Sequence, residues 1–306
     1  MSLLQLFGGT LAALVAGTLA GQILRRSARS APARRTVANM NARIAAWWVL
    51  SSVTALALVL GAGAVCTLFA LFSALALREL LEGQARLPRS APLLFAIAAV
   101  QYGLVWSRWY GVFSTLIPVG AFLAIPTWNA LAGETGHYLE RTAEQYWSLM
   151  VSTYCLSYAP ALLMLDIRGY AGRNRALLFY FLLVIQSSDI LQYVWGKLLG
   201  SRTMAPGISP NKTWEGFVGG ILTATALGAA LYRATPFQPW QAAAICATVT
   251  LTGFAGGLTM SAIKRQRGVK DYGTLVMGHG GVLDRIDSLC FAAPVFFLLV
   301  RYFFAV

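Results

Sequence analysis

Charge is what this sequence has least of. Only 11% of its 306 residues are Asp, Glu, Lys or Arg, where a soluble domain carries about a quarter. Acidic residues are scarcest, 11 against 24 lysines and arginines. Histidine is almost missing: His137 and His279 are the two present, which excludes a metal centre built from imidazoles. The four cysteines, Cys66, Cys155, Cys246 and Cys290, lie in apolar stretches without C-x-x-C spacing. That excludes a zinc knuckle and a disulfide framework and leaves them as small buried hydrophobes. No ten-residue segments of alternating polarity occur, which excludes a transmembrane barrel.

What the chain has instead is hydrocarbon, at 58% hydrophobic residues and a mean hydropathy of +0.63. Apolar runs recur at 3–24, 45–61, 63–78, 91–107, 110–126, 147–167, 176–196, 215–232, 240–259 and 289–306. Several are near the length that crosses a hydrocarbon core of ~30 Å. The expected fold is all-α, a polytopic membrane bundle of about nine to ten transmembrane helices. The 45–78 region, broken at Gly61-Ala62-Gly63, reads as two spans or as one kinked re-entrant pair. Residues 3–24 do not read as a signal peptide, because the basic cluster follows the apolar run. No internal repeat or soluble domain is visible.

A net charge of +13 invites nucleic acid as a partner. No basic stripe is interleaved with exposed aromatics, so nucleic acid is rejected. Three quarters of the lysines and arginines fall in alternate loops, 25–43, 78–90, 127–146, 197–214 and 260–288. That asymmetry places those loops in the cytosol and makes the lipid bilayer and anionic substrates the expected partners. Arg168, Arg173 and Arg175 are discordant, falling together on the opposite side. The 127–146 loop reads as connecting structure or an interfacial helix and receives no role.

The most informative stretch runs from Ser261 to Asp287. Lys264, Arg265, Arg267 and Lys270 precede Asp271, then His279-Gly280-Gly281, then Asp284-Arg285-x-Asp287. Asp284 and Asp287 share one face of a helix starting near Gly281. Two carboxylates there suit Mg²⁺ that bridges nucleotide phosphates; a solvated pair of helix-start acids is the plainer alternative. Lys264, Arg265, Lys270 and Arg285 match the charge of a triphosphate and a lipid phosphate, whereas Arg267 reads as ordinary juxtamembrane charge. Asp271 is a third metal ligand or a partner for Lys270. The Gly280-Gly281 turn lets backbone N–H groups meet an anion, and His279 donates to a phosphate or positions the turn. Asp189 stands inside an apolar span, with Gln186 and Tyr193 on the same helix side, and reads as the edge of a polar cavity.

The pattern S-x-x-K-R-x4-K-D-x-G, followed by H-G-G-x-x-D-R-x-D, resembles the signature of the phosphatidate cytidylyltransferases, or CDP-diacylglycerol synthases. A second block, Ser209-Pro210-Asn211-Lys212-Thr213-Trp214-Glu215-Gly216, resembles that family's S-P-x-K-T-x-E-G segment and brings Ser209, Asn211 and Lys212 into the expected phosphate site. The likeness divides the chain into N-terminal transmembrane helices, 1–174, sharing little but hydrophobicity, and a catalytic region, 175–306. It implies Mg²⁺ as cofactor, CTP and phosphatidate or a related lipid phosphate as substrates, and the products CDP-diacylglycerol and pyrophosphate. The catalytic set it implies is Asp189, Lys270, Asp271, Asp284 and Asp287. A bacterial inner membrane location, an active site facing the cytosol and a homodimer are further expectations. Two departures, Leu191 where that family has glycine and Met277 where it has proline or glycine, leave open a CTP-dependent transferase for a different lipid phosphate or alcohol, or a non-catalytic lipid-binding relative.

Overall fold

The computed structural model describes residues 1–27, 30–82, 88–133, 135–273 and 280–306, with no side-chain description in α2 for 32, 33, 35, 36, 39 and 43. Every expected apolar run falls on helix. The first is α1 (Leu3–Ser27), then α2 (Ala31–Leu60) and α3 (Ala62–Glu82), which are separated by Gly61 alone. Gly61 has φ +115, a conformation that only glycine adopts without strain, so the 45–78 region is two helices meeting at a sharp break. Next come α4 (Ala91–Trp106), α5 (Tyr110–Thr115) and α6 (Phe122–Leu131). The last two join through a wide π-type turn at Leu116–Ala121, which contains Pro118; proline cannot donate its backbone N–H, and the ladder loosens around it. A second such turn, Met150–Cys155, joins α7 (Tyr138–Leu149) to α8 (Leu156–Ala161).

The second half is more regular, with α9 (Asn174–Leu198), α10 (Trp214–Ala230), α11 (Pro239–Gln266) and α12 (Leu283–Phe304). Among the described residues, seven helices are long and apolar enough to cross a membrane. The protein is an all-α polytopic membrane bundle. One element has no counterpart in the apolar pattern: a hairpin of β1 (Thr203–Ala205) and β2 (Ser209–Thr213), paired antiparallel between α9 and α10. It lies in a polar connection, where hydrophobic periodicity gives no strand signal.

Packing in this half depends on small residues. A Cβ on Gly216 would lie 2.7 Å from the Gln192 carbonyl oxygen, and one on Gly220 would lie 2.7 Å from the Gln192 backbone nitrogen. Glycine in α10 therefore lets the α9 backbone come into direct contact, as small residues do between membrane helices. Thr213 starts α10 as its N-cap, its Oγ1 accepting from Gly216 N at 3.1 Å. Gln238 and Gln241 cap α11 reciprocally, with Pro239 in the first turn.

Two of the three discordant arginines bond protein carbonyls. Arg173 Nη2 donates to the carbonyls of Met1 and Arg233 at 3.0 and 3.2 Å, and Arg175 Nη1 to that of Leu58 at 3.2 Å. They tie α1, α2 and the turn after α10 to the start of α9. The four cysteines are free thiols, three of them buried.

Candidate functional site

Three helices and the hairpin meet at one polar cluster. The C-terminal end of α11 contributes Lys264, whose Nζ donates to Asp284 Oδ1 at 2.8 Å. The second oxygen of Asp284 accepts from the backbone N–H groups of Tyr272 and Gly281, at 2.9 and 3.0 Å. Asp284 thus joins α11, the segment after it and the start of α12. Gly280 has φ +90, and a Cβ there would lie 3.2 Å from the Asp271 Cβ and close against Asp284; glycine is required on both counts.

One turn further along α12, Asp287 faces α9 and the hairpin. Its Oδ1 accepts from Ser288 N at 2.8 Å, and Ser288 Oγ donates to Asp189 Oδ2 at 2.7 Å. Lys212 reaches into this space from β2, its ammonium 4.7 Å from the centre of the Phe254 ring, a favourable cation–π distance. Burial pushes the Lys212 ammonium below the ordinary lysine value, while the charges of Asp287 and Asp189 pull it back. A Cβ on Gly257 would lie 3.2 Å from Lys212 Nζ and 3.8 Å from Asp287 Oδ2, so α11 presents bare backbone to both groups. The cluster holds Lys212, Lys264, Asp189, Asp284 and Asp287.

The other expected site residues are distributed around it. Arg265 Nε donates to the Ile208 carbonyl at 3.0 Å and Nη1 to that of Val269 at 3.3 Å, linking the hairpin turn to the segment after α11. Lys270 and Asp271 are exposed on that segment. Ser209 and Asn211 share β2 with Lys212 at alternate positions, so they belong to the opposite face of the strand. Arg285 is half-buried on α12, and its carbonyl accepts from Gln186 Nε2 at 3.4 Å. The N–H groups beyond the glycine turn are already engaged: Gly281 by Asp284, and Val282 and Leu283 by the carboxylate of Glu79. His279 and Met277 lie outside the described residues.

Several participants carried no sequence motif. Glu79 comes from α3, where its signal was a lone acid in the run Leu77-Arg78-Glu79-Leu80-Leu81. Arg267, read as plain loop charge, donates to Glu144 Oε1 at 2.6 Å and to the Leu80 carbonyl at 2.8 Å. Glu144 in turn gives the 127–146 region a structural role. The Tyr272 ring centre lies 5.9 Å from both Lys264 Nζ and Arg267 Cζ.

Mg²⁺ suits the donor set. Asp189, Asp284 and Asp287 offer the hard oxygen donors that Mg²⁺ takes, beside the ammonium groups of Lys212 and Lys264. Among the described residues no three Asp, Glu, His or Cys side chains form a cage by themselves, so Mg²⁺ here would need water and phosphate to complete its shell. Asp284 has both oxygens engaged, whereas Asp189 and Asp287 each have one oxygen accepting from Ser288.

Helices throughout, with a charged cluster sheltered among them, make this an integral membrane protein. The chain belongs to the cytidylyltransferase family, whose sequence model matches residues 41–303; it is a nucleotidyltransferase of the phosphatidate cytidylyltransferase type. It is 38% identical over 266 residues to the Escherichia coli K12 protein called uncharacterized protein YnbB, covering 85% of this chain and 87% of that one. Phosphatidate cytidylyltransferase of Bacillus subtilis is 40% identical over 141 residues, 45% of this chain and 52% of that one. The Aquifex aeolicus phosphatidate cytidylyltransferase is 34% identical over 189 residues, 61% of this chain and 71% of that one. The family match begins well before residue 175 and takes in Glu79 and Glu144.

Proposed function

We propose that this protein transfers the cytidylyl group of CTP to the phosphate of a phosphatidate-type lipid, giving CDP-diacylglycerol and pyrophosphate. The convergence of Lys212, Lys264, Asp189 and Asp287, from separate pieces of the signature, carries this reading. An oxygen of the lipid phosphate attacks the α-phosphorus of CTP. The bond from that phosphorus to the oxygen bridging to the β-phosphate breaks, and its electron pair leaves with pyrophosphate. No base is needed, because a phosphate monoester is already an anion at neutral pH, so orientation and charge neutralisation make up most of the catalysis.

Lys212 and Lys264 receive phosphate oxygens in a sheltered site where their charge acts at full strength. Asp189 and Asp287 hold Mg²⁺, which supplies further neutralisation of phosphate charge when bound. Lys270, exposed at the rim, attracts the incoming nucleotide. The basic end of α11 and the hairpin face the cytosol of a bacterial cell membrane, where CTP is found, and the lipid enters from the bilayer.

Leu191, half-buried on α9 beside Asp189, favours a second reading of the acceptor: a lipid phosphate shaped differently from phosphatidate. Purified protein given labelled CTP, Mg²⁺ and a panel of lipid phosphates decides between them. Strong preference for phosphatidate supports CDP-diacylglycerol as the product; preference for another lipid phosphate supports the second reading; no lipid labelled with any acceptor refutes both.

A further inference from the structure

Glu79 belongs neither to the Lys264–Asp284 pair nor to the Lys212 cluster, yet its carboxylate is among the most enclosed in the molecule, with the residue 5% exposed. Its Oε1 accepts from Val282 N at 2.8 Å and its Oε2 from Leu283 N at 2.9 Å. These N–H groups sit at the start of α12, have no partner within the helix, and lie at the positive end of its dipole. Two glycines make the space: a Cβ on Gly281 would collide with the carboxylate, and one on Gly273 would lie 3.1 Å from Oε1. The next residue, Leu80, offers its carbonyl to Arg267 Nη1 at 2.8 Å, while Arg267 Nη2 binds Glu144 at 2.6 Å. Arg267 follows α11 immediately, and Val282 and Leu283 begin α12. Two consecutive residues of α3 therefore hold both ends of the segment connecting α11 to α12.

We propose that Glu79 is a positioning residue: with Leu80 and Glu144 it forms a clamp that sets α12, and so Asp284 and Asp287, against Lys264 at the end of α11. The consequence for catalysis rests on the cytidylyl-transfer reading; the clamp itself does not. Asp284 follows Leu283 directly, so release of the Leu283 N–H loosens the backbone that carries the carboxylate paired with Lys264. Displacements of about 1 Å at a reacting site cost rates on the order of a hundredfold.

Glu79→Gln tests this, because an amide keeps the size but turns an NH₂ toward one of the two donors. The full chain in detergent is followed by hydrogen exchange at the amides of 282 and 283 and by steady-state cytidylyl transfer. Exchange at the amide that faces the NH₂, of 282 or of 283, should accelerate by about tenfold or more. In turnover, kcat should fall by about tenfold with a much smaller change in KM for CTP. Arg78→Gln, at an exposed neighbour paired with Glu82, should leave exchange and turnover as they were. Wild-type exchange in Glu79→Gln overturns the clamp; accelerated exchange with wild-type kcat overturns the positioning role. If Glu79→Gln does not fold, Arg267→Lys, which cannot span both acceptors, decides in its place: lowered kcat supports the proposal and unchanged kcat overturns it. A wild-type chain inactive on CTP would contradict the functional reading and leave the exchange result to judge the clamp alone.

Discussion

Lys264 and Asp284 form an ion pair of 2.8 Å with side chains only 11% and 7% exposed, and the same aspartate binds two backbone N–H groups of the intervening segment. A buried pair of this kind is costly to break, because the remaining charge loses its partner without regaining water. Lys264→Met is expected to lower stability by about 3–5 kcal/mol as well as abolishing turnover. Lys270→Met, at an exposed position, should weaken CTP use while leaving stability unchanged. Thermal unfolding in detergent beside turnover assays checks this; equal stability of the two variants would show that the pair has no structural weight.

The three aspartates should separate in the same way. Asp189→Asn and Asp287→Asn are expected to lower kcat about a hundredfold, equivalent to ~3 kcal/mol of transition-state stabilisation, and to raise the Mg²⁺ concentration needed for half-maximal rate. Asp284→Asn should lose activity and stability together, because it also weakens the anchor of Tyr272 and Gly281. Mg²⁺ titrations with unfolding curves measure both; normal turnover of Asp287→Asn at saturating Mg²⁺ would remove it from the site.

Adjacent glycines of α11 make a sharper contrast. A Cβ on Gly256 would lie 2.7 Å from the Asp287 carbonyl oxygen, which is backbone, so Gly256→Ala must push α11 and α12 apart and should reduce the amount of folded protein. Gly257→Ala meets the end of the flexible Lys212 side chain at 3.2 Å. It should fold normally with altered kcat or KM for CTP. Folded yield by size exclusion and kinetics on the recovered protein distinguish the two.

Lys212 gives a pH signature with two opposite signs. Its folded value lies below the ordinary 10.5, so within that interval the unfolded chain binds more protons and stability rises with pH. Activity should move the other way, since phosphate loses its ammonium partner as pH rises through the lowered value. Lys212→Arg, permanently charged, should extend the alkaline limb of kcat/KM to higher pH. An unchanged limb would show that Lys212 does not set it.

Asp284 and Asp287 were legible in the sequence because their spacing puts them on one helix face, Lys264 as one charge of a basic loop, and Asp189 because a carboxylate inside an apolar run is expensive; the structure brings these four side chains into one cluster. Lys212 was visible only through its motif. Glu79 and Glu144 were not legible, because their partners are backbone N–H groups and an arginine more than a hundred residues away, and no local pattern encodes such contacts. Arg267 was misread for the same reason: charge in a basic juxtamembrane loop looks alike whether it faces water or a distant helix end. The hairpin at 203–213 lacked an apolar face by which to announce itself.

The most direct test of cytidylyl transfer follows the label of CTP by position. With CTP labelled at the α-phosphorus, Mg²⁺ and a lipid phosphate, the label should enter the lipid fraction. With CTP labelled at the γ-phosphorus it should leave in pyrophosphate, one for each lipid formed. A γ-label recovered in the lipid, with CDP released, would contradict the account, because the protein would then be moving a terminal phosphoryl group instead of a nucleotide.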